Sequence, residues 1–460
     1  MKIIIAGAGA GKTTSMAQKV LERYNTITDG KIIYVITYTN AARDHIRKKI
    51  IELNGSIPRG VKIETSHVFL LQEIIFPYNH LLFEQQYTQV SLINLPENHG
   101  YRASKLAELR ANNMIHVQET TKVAKWIISG KSDDRRIIKN KREKVLSIIQ
   151  RYLDCVFIDE AQDMDQHLSG IIEMLSNKEI GVIVVGDPKQ DLRGRNELRR
   201  LIEKYSHNVE YKKENHRCPI SHVKFANSYI SPEEKQVCQL EEIGEISYIY
   251  ETDISIKDYV EDGNWCYSFI SKKNDRFVTR SDQMNSAKNN LRYEIKALVR
   301  KSDIEENKVD QKVYLILKKV LQDFDNTNHW AIINKLGTEL SIGLTPQDKA
   351  RMFAVLEMNE EINDDQSGVL VQSIDKIKGL EGENCLFILT TDLSDYIFKE
   401  KTQMNKMMNY LYVALTRAKK KLMIMVTSEV EHKYGREWID CKFENLLSIY
   451  KEEGNVKSEK

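Results

Sequence analysis

Cysteine is scarce and scattered in this chain. Cys155, Cys218, Cys238, Cys266, Cys385 and Cys441 never fall at CxxC spacing. That excludes the common zinc and iron–sulfur ligand patterns and fits a chain kept in a reducing cytoplasm. No apolar run of about 18 residues occurs, so no membrane span is expected. Met1-Lys2 leads straight into Ile3-Ile4-Ile5, too short for the apolar segment of a secretory signal. An excess of one charge is also lacking. Sixty-eight basic residues face 66 acidic ones, for a net charge of +2, so any groove for nucleic acid must be a local feature. Internal repeats and a nuclease signature are not found. What is present is 41% hydrophobic and 29% charged residues over 460 positions, enough for about two to four globular domains.

Lys2–Ile5 reads as a short buried strand, followed by Ala6-Gly7-Ala8-Gly9-Ala10-Gly11-Lys12-Thr13-Thr14 and a helical run over Ser15–Arg23. Strand, glycine-rich loop and helix are the context of a phosphate-binding loop. Backbone N–H groups can close on phosphate only where bulky side chains are absent, and the helix adds its positive end. Residues Gly7 to Thr14 are therefore the candidate nucleotide cradle, with Lys12 on the β/γ-phosphates and the Thr13 hydroxyl on Mg²⁺. Ala6 stands where the strict pattern has glycine.

A second apolar strand over 154–158 ends in Asp159-Glu160-Ala161-Gln162-Asp163. Carboxylates at that end of a strand sit beside the phosphate loop in doubly wound sheets. Asp159 is the candidate metal ligand, and Glu160 the base that orients and deprotonates the attacking water. A third strand over 181–185 leads into Gly186-Asp187-Pro188-Lys189-Gln190. The Gln190 amide can donate and accept, as a γ-phosphate sensor needs. A solvent-facing turn is the equally ordinary reading.

These stretches, with Thr37-Tyr38-Thr39-Asn40, Thr65-Ser66-His67, Asn215-His216-Arg217-Cys218, Lys378-Gly379-Leu380-Glu381 and Tyr412 through Ala418 in that order, resemble the UvrD/Rep/PcrA-like branch of superfamily 1 helicases. The resemblance implies an ATP- and Mg²⁺-dependent motor on single-stranded DNA or on single/double-strand junctions, moving 3′→5′. It implies γ-phosphate-reaching arginines at Arg217 and Arg417, a ribose contact at Glu381 and a base-stacking neighbour at His216. Tyr38, Thr39, Asn40, Thr65 and His67 would line the strand path, although a strand-end tyrosine is often core. The implied fold is α/β: two RecA-like doubly wound parallel-sheet motor domains, each with a mostly helical insertion. Motor domain 1A would hold 1–69 and 152–210, insertion 1B 70–151, motor domain 2A 211–289 and 366–450, and insertion 2B 290–365. The arginines would then reach a nucleotide between the motor domains, and 451–460 would be a charged tail.

The basic stretch Arg135, Arg136, Lys139, Lys141, Arg142, Lys144 and Arg151 falls where the family inserts a DNA-touching subdomain. Such stretches are more often a solvated helix face. Four departures stand out. The upstream adenine-reading glutamine is not seen, so nucleotide preference is open. No aromatic follows Gln190, where Arg193 could substitute through a cation–π contact. Asp375 and Gly382 replace a usual histidine and a usual aromatic. The compact form is also similar to the helicase-like subunit of the Gabija anti-phage system, whose partner is an OLD-type nuclease. Three functions are therefore carried forward: a DNA translocase or helicase, a DNA-sensing ATPase that switches a partner nuclease with little unwinding, and a nucleotide switch or kinase unrelated to DNA.

Overall fold

The computed structural model describes residues 1–95, 98–279, 282–302, 304, 309–323, 328–364 and 368–448. The expected tail at 451–460 lies outside the described residues.

The first sheet is built from near-continuous apolar segments, as strands buried on both faces require. β1 (Lys2–Ala6), β2 (Ile32–Thr37) and β3 (Val61–Thr65) come first. β4 (Gln89–Ser91) and β5 (Met114–His116) then form a small parallel pair of their own. β6 (Leu153–Ile158), β7 (Gly181–Gly186) and β8 (Val209–Lys212) complete the first sheet. Its order is β3-β2-β6-β7-β1-β8, and every neighbouring pair is parallel.

Side-chain alternation gives this sheet two cores. Ile4, Ile33, Val35, Phe157 and Val185 face helix α1 (Lys12–Asn25) and helix α2 (Asn40–Asn54), meeting Met16, Ala17, Val20, Ile46 and Ile50. Ile3, Ile5, Tyr34, Ile36, Val156 and Val184 point the other way, into one cluster with Val123, Ile127, Val145 and Leu146. The residues between 70 and 151 are helical over Phe76–Phe83, His99–Ala111, Thr120–Ile128 and Arg136–Tyr152. They share the sheet's core, because the sheet's second face is apolar and needs a cover.

β9 (Glu214–Asn215) and β10 (Val237–Cys238) form a second short parallel pair. The other large sheet contains β11 (Glu245–Tyr250), β12 (Tyr267–Ile270), β13 (Phe277–Thr279), β14 (Val369–Ser373), β15 (Gly382–Leu389) and β16 (Ala418–Val426). Its order is β11-β16-β15-β12-β14-β13. The α/β class with two six-stranded sheets is the one expected. The helices Asp282–Val299, Val309–Asp323, His329–Leu340 and Pro346–Asp364 carry a separate core of Leu291, Ile295, Val313, Ile316, Ile333 and Met352.

Contacts divide the described chain into two compact units. The first takes in Met1–Ser247, Leu393–Leu422 and the described residues from Arg436; the second takes in Tyr248–Asp392 and Met423–Gly435. This border differs from the expected one. Residues 211–247 and 393–422 group with the unit that holds the phosphate loop.

Candidate nucleotide site

β6, β7 and β1 are neighbours and run the same way. The loops leaving their C-terminal ends therefore emerge side by side, which is where open α/β sheets bind ligands. These loops carry DEAQD, GDPKQ and the glycine-rich segment. In the last, Gly9 (φ +72°) and Gly11 (φ +66°) occupy the left-handed region, where a Cβ is strained. Gly11 opens α1 with no side-chain cap, and the helix has no acid in its first turn. Its leading N–H groups thus face the loop with neither a capping oxygen nor a repelling carboxylate, an arrangement suited to an anion.

Asp159 is 4% exposed, and its Oδ1 is buried without a hydrogen-bond partner. Burial and then neighbouring Glu160 push its carboxyl up, while Lys12 draws it back. A buried carboxylate oxygen with unspent lone pairs suits a hard cation. With the half-buried Thr13 beside Lys12, the donor set fits Mg²⁺. Glu160 sits at φ +50°, ψ +43°. For a non-glycine residue this is strain of the kind that clusters at working sites. Gln162, 1% exposed, explains how that turn is held. Its amide nitrogen donates to Glu160, and its Oε1 accepts the Asp187 N–H at 3.0 Å, tying the second loop to the third.

Gln190 is buried, and its Nε2 donates to Asp187 Oδ2 at 2.9 Å. Asp187 also meets Lys189 Nζ at 2.9 Å, and Lys189 reaches Glu234 at 3.3 Å. Although burial opposes charge at both groups, Lys189 and then Lys12 hold the Asp187 carboxyl down, while Asp187 leads the effects that hold the Lys189 ammonium up. Both stay charged inside the protein.

The segment after β8 crosses the glycine-rich loop. The His216 N–H donates to Gly9 O at 3.0 Å. A Cβ added to Gly9 would fall 2.5 Å from Arg217 Cβ, so that glycine also admits the arginine. The amides of Asn215 and Gln236 both donate to Ala8 O at 2.9 Å. The Ala8 N–H in turn donates to the Tyr412 hydroxyl at 3.2 Å. Tyr412 lies on the helix Lys406–Leu415, and two residues beyond that helix is Arg417. Arg417 is wholly buried; its Nε donates to Val413 O at 2.9 Å, and its Nη2 to Thr416 Oγ1 at 3.1 Å. Burial and then the charge of Arg217 bring its pKa down to about 10, so it remains a cation at neutral pH. Two arginines that repel each other above a phosphate loop are relieved by an incoming polyanion.

Lys12, Thr13, Asp159, Glu160, Gln190, His216, Arg217 and Arg417 all lie in the first unit. His216 is exposed. Glu381 lies in the second unit, just before β15. Gly382 has a packing reason: an added Cβ would fall 2.5 Å from Cys266 Cβ, leaving no room for the family's aromatic. Asp375 is exposed on a short helix, Ile374–Ile377. Tyr38 is half-buried against the sheet core with its hydroxyl enclosed. Thr39 caps α2, its Oγ1 accepting the Ala42 N–H at 3.1 Å. Asn40, His67 and Arg193 are exposed, and Thr65 is half-buried. Of the basic stretch, Arg142 is spent on Asp134 and on the carbonyls of Trp126 and Ile127; Arg135, Arg136, Lys139, Lys141, Lys144 and Arg151 are exposed. Asn215 and Tyr412 stood inside motifs without a role, and Gln236 carried no sequence signal.

Residues 1–194 match a family model described as an AAA domain. Gabija protein GajB from Bacillus cereus (strain VD045) is 27% identical over 202 residues, which is 41% of this chain and 37% of that relative. Among solved structures, that of Arterivirus nonstructural protein 10 (helicase) with DNA is 12% identical with a TM-score of 0.36, covering 92% of this chain and 59% of that one. The first two likenesses bear out the resemblance of the motifs to a UvrD-like helicase with a Gabija relative. No helix among the described residues is long and apolar enough to cross a membrane.

Proposed function

We propose that this chain is an ATP-hydrolysing motor of the UvrD-like type that binds single-stranded DNA and moves along it, in anti-phage defence beside a nuclease partner. The observation that carries the reading is that Arg217 packs against Gly9 of the glycine-rich loop, while Asp159 feels the charge of Lys12 and Arg417 that of Arg217. The loop's N–H groups and Lys12 hold the phosphates. Thr13 and Asp159 would hold Mg²⁺, which neutralises charge on the transferring phosphoryl group. Glu160, strained and braced by Gln162, orients the attacking water and takes its proton. Arg217 and Arg417 meet the charge that develops on the equatorial oxygens. A nucleotide switch without DNA leaves these arginines unexplained. Partnership with a nuclease is supported by the likeness to a Gabija protein, and DNA binding by the exposed basic residues of the helix Arg136–Tyr152.

A second reading is favoured by one observation. Tyr38 is half-buried against the sheet core with its hydroxyl enclosed, and the loop after Gln190 presents Arg193 with no aromatic, so this part of the expected strand path offers little surface for base stacking. On that reading the chain senses DNA, hydrolyses ATP and switches its partner while unwinding little. ATP turnover with and without single-stranded DNA, run beside strand displacement on a tailed duplex, separates the two. Stimulation with displacement supports the motor, and stimulation without displacement supports the sensor. No stimulation by any nucleic acid sinks both. Glu160→Gln is expected to retain nucleotide and abolish turnover; normal turnover would remove Glu160 as the base.

A further inference from the structure

Away from the phosphate loop, the residues between 70 and 151 line an open cavity of about 460 Å³, within the size range of small-ligand sites. Its walls include Phe83, Tyr87, Leu106 and Trp126, and its charged lining includes Arg110 and Lys131. Among the described residues the one acid lining it, Glu119, is turned toward Lys122 at 3.7 Å. Its polar wall groups are already engaged. The Asn79 amide donates to Gln85 O at 2.6 Å, Gln85 Nε2 donates to Arg110 O at 3.0 Å, and His116 Nε2 lies 2.8 Å from Ile93 O. What is left to offer is aromatic surface and positive charge. The Lys131 ammonium lies 4.0 Å from the Trp126 ring centroid and 4.8 Å from that of Phe83. It thus occupies the faces on which a flat ring would stack.

We propose that this cavity is a second nucleotide-binding site, distinct from the phosphate loop. It takes a nucleobase against Phe83 and Trp126, with the attached phosphate on Lys131 and Arg110. The base displaces the Lys131 ammonium from the ring faces, and the ammonium exchanges a cation–π contact for an ion pair with the phosphate. Aromatic faces beside cations are the general chemistry of base and backbone capture. The base can come from a free mononucleotide or from an unpaired strand. Neither source requires the chain to hydrolyse ATP, so this site stands apart from the function proposed above.

The test uses the full chain with the phosphate loop first saturated by ADP and Mg²⁺. Deoxynucleoside monophosphates and ribose 5-phosphate are then titrated by calorimetry and tryptophan fluorescence. A short oligonucleotide and its abasic counterpart follow. Base-containing ligands are expected to bind about tenfold tighter than base-free ones, the discrimination one stacked base provides. Leu106→Trp, which fills the cavity, should abolish that difference. Binding of mononucleotides assigns the site to free nucleotide, and base-dependent binding of the oligonucleotide alone, lost in Leu106→Trp, assigns it to a strand. Equal affinity for base-containing and base-free ligands overturns the proposal. So does binding of N-acetyltryptophanamide with no nucleotide binding, or unchanged discrimination in Leu106→Trp. Should Leu106→Trp lower the unfolding temperature, Lys131→Gln decides instead: it is expected to weaken nucleotide phosphates about tenfold without weakening the nucleoside, which no longer has to displace the ammonium from the rings, and an equal loss of affinity for both would refute the site.

Discussion

Arg417 keeps its charge with no solvent exposure because carbonyl and hydroxyl oxygens surround it, and its pKa falls only to about 10. If it neutralises the transferring phosphoryl group, Arg417→Ala should cut ATP turnover by roughly 10³–10⁵ while nucleotide still binds. Arg417→Lys should restore little, since a point charge cannot reproduce the guanidinium fork. Steady-state turnover beside equilibrium binding checks this, and unchanged turnover removes Arg417 from the chemistry. His222 supplies a pH dependence unrelated to catalysis. It is 1% exposed, and burial brings its pKa from 6.5 to about 4. Between those values the unfolded chain binds a proton that the folded chain refuses. Stability is therefore fully present above pH 6.5 and lost as the pH falls toward 4, by on the order of 3 kcal/mol at about 1.4 kcal/mol per unit. Denaturant midpoints at pH 7 and pH 5 should differ accordingly, and His222→Phe should flatten the slope; a parallel slope in the variant would place the effect elsewhere.

At the scale of elements, each loop of the nucleotide site is positioned by the strand before it and anchored by the helix after it. Thr39 shows how one residue can serve two purposes. It caps α2 through the Ala42 N–H, and by resemblance it touches DNA. Thr39→Ala should cost about 1 kcal/mol of stability. Thr39→Ser should retain the cap. If Thr39 also contacts the strand, Thr39→Ala weakens single-strand affinity beyond what its lower stability explains, as measured well below the unfolding temperature. An unaltered affinity leaves the residue as a cap alone. The Ala8 peptide is a second such joint. Tyr412, Asn215 and Gln236 bind both of its polar groups, so the loop that cradles phosphate is fastened to the segments bearing Arg217 and Arg417.

On the scale of the whole molecule, the described chain divides into two compact units, and the helices from 282 to 364 carry a core of their own. Heating should therefore produce more than one transition. ADP with Mg²⁺ should raise chiefly the transition of the unit that holds the phosphate loop, by about 2.7 kcal/mol at a hundred times its Kd. Calorimetry with and without ligand tests this; a single transition that moves as a whole would show that the units melt together.

Much of the site could be read from the residues in order. Glycines before Lys12, carboxylates after an apolar strand and arginines in spaced motifs are local patterns, and local chemistry dictates them: an anion needs bare N–H groups, a metal needs carboxylates, a strand buried on both faces needs unbroken apolar runs. That is why the α/β class, the strands and the candidate nucleotide residues were legible. Contacts between residues far apart in sequence were not. Gln236 beside Ala8, Gln162 bridging two loops, Arg142 folded inward from a basic stretch, Gly382 excluded from any larger side chain and Tyr38 drawn toward the core depend on which segments become neighbours. So does the border between units, which places 211–247 and 393–422 with the phosphate loop. Packing density and the need to satisfy every buried polar group decide these matters, and both act on the assembled tertiary structure rather than along the chain.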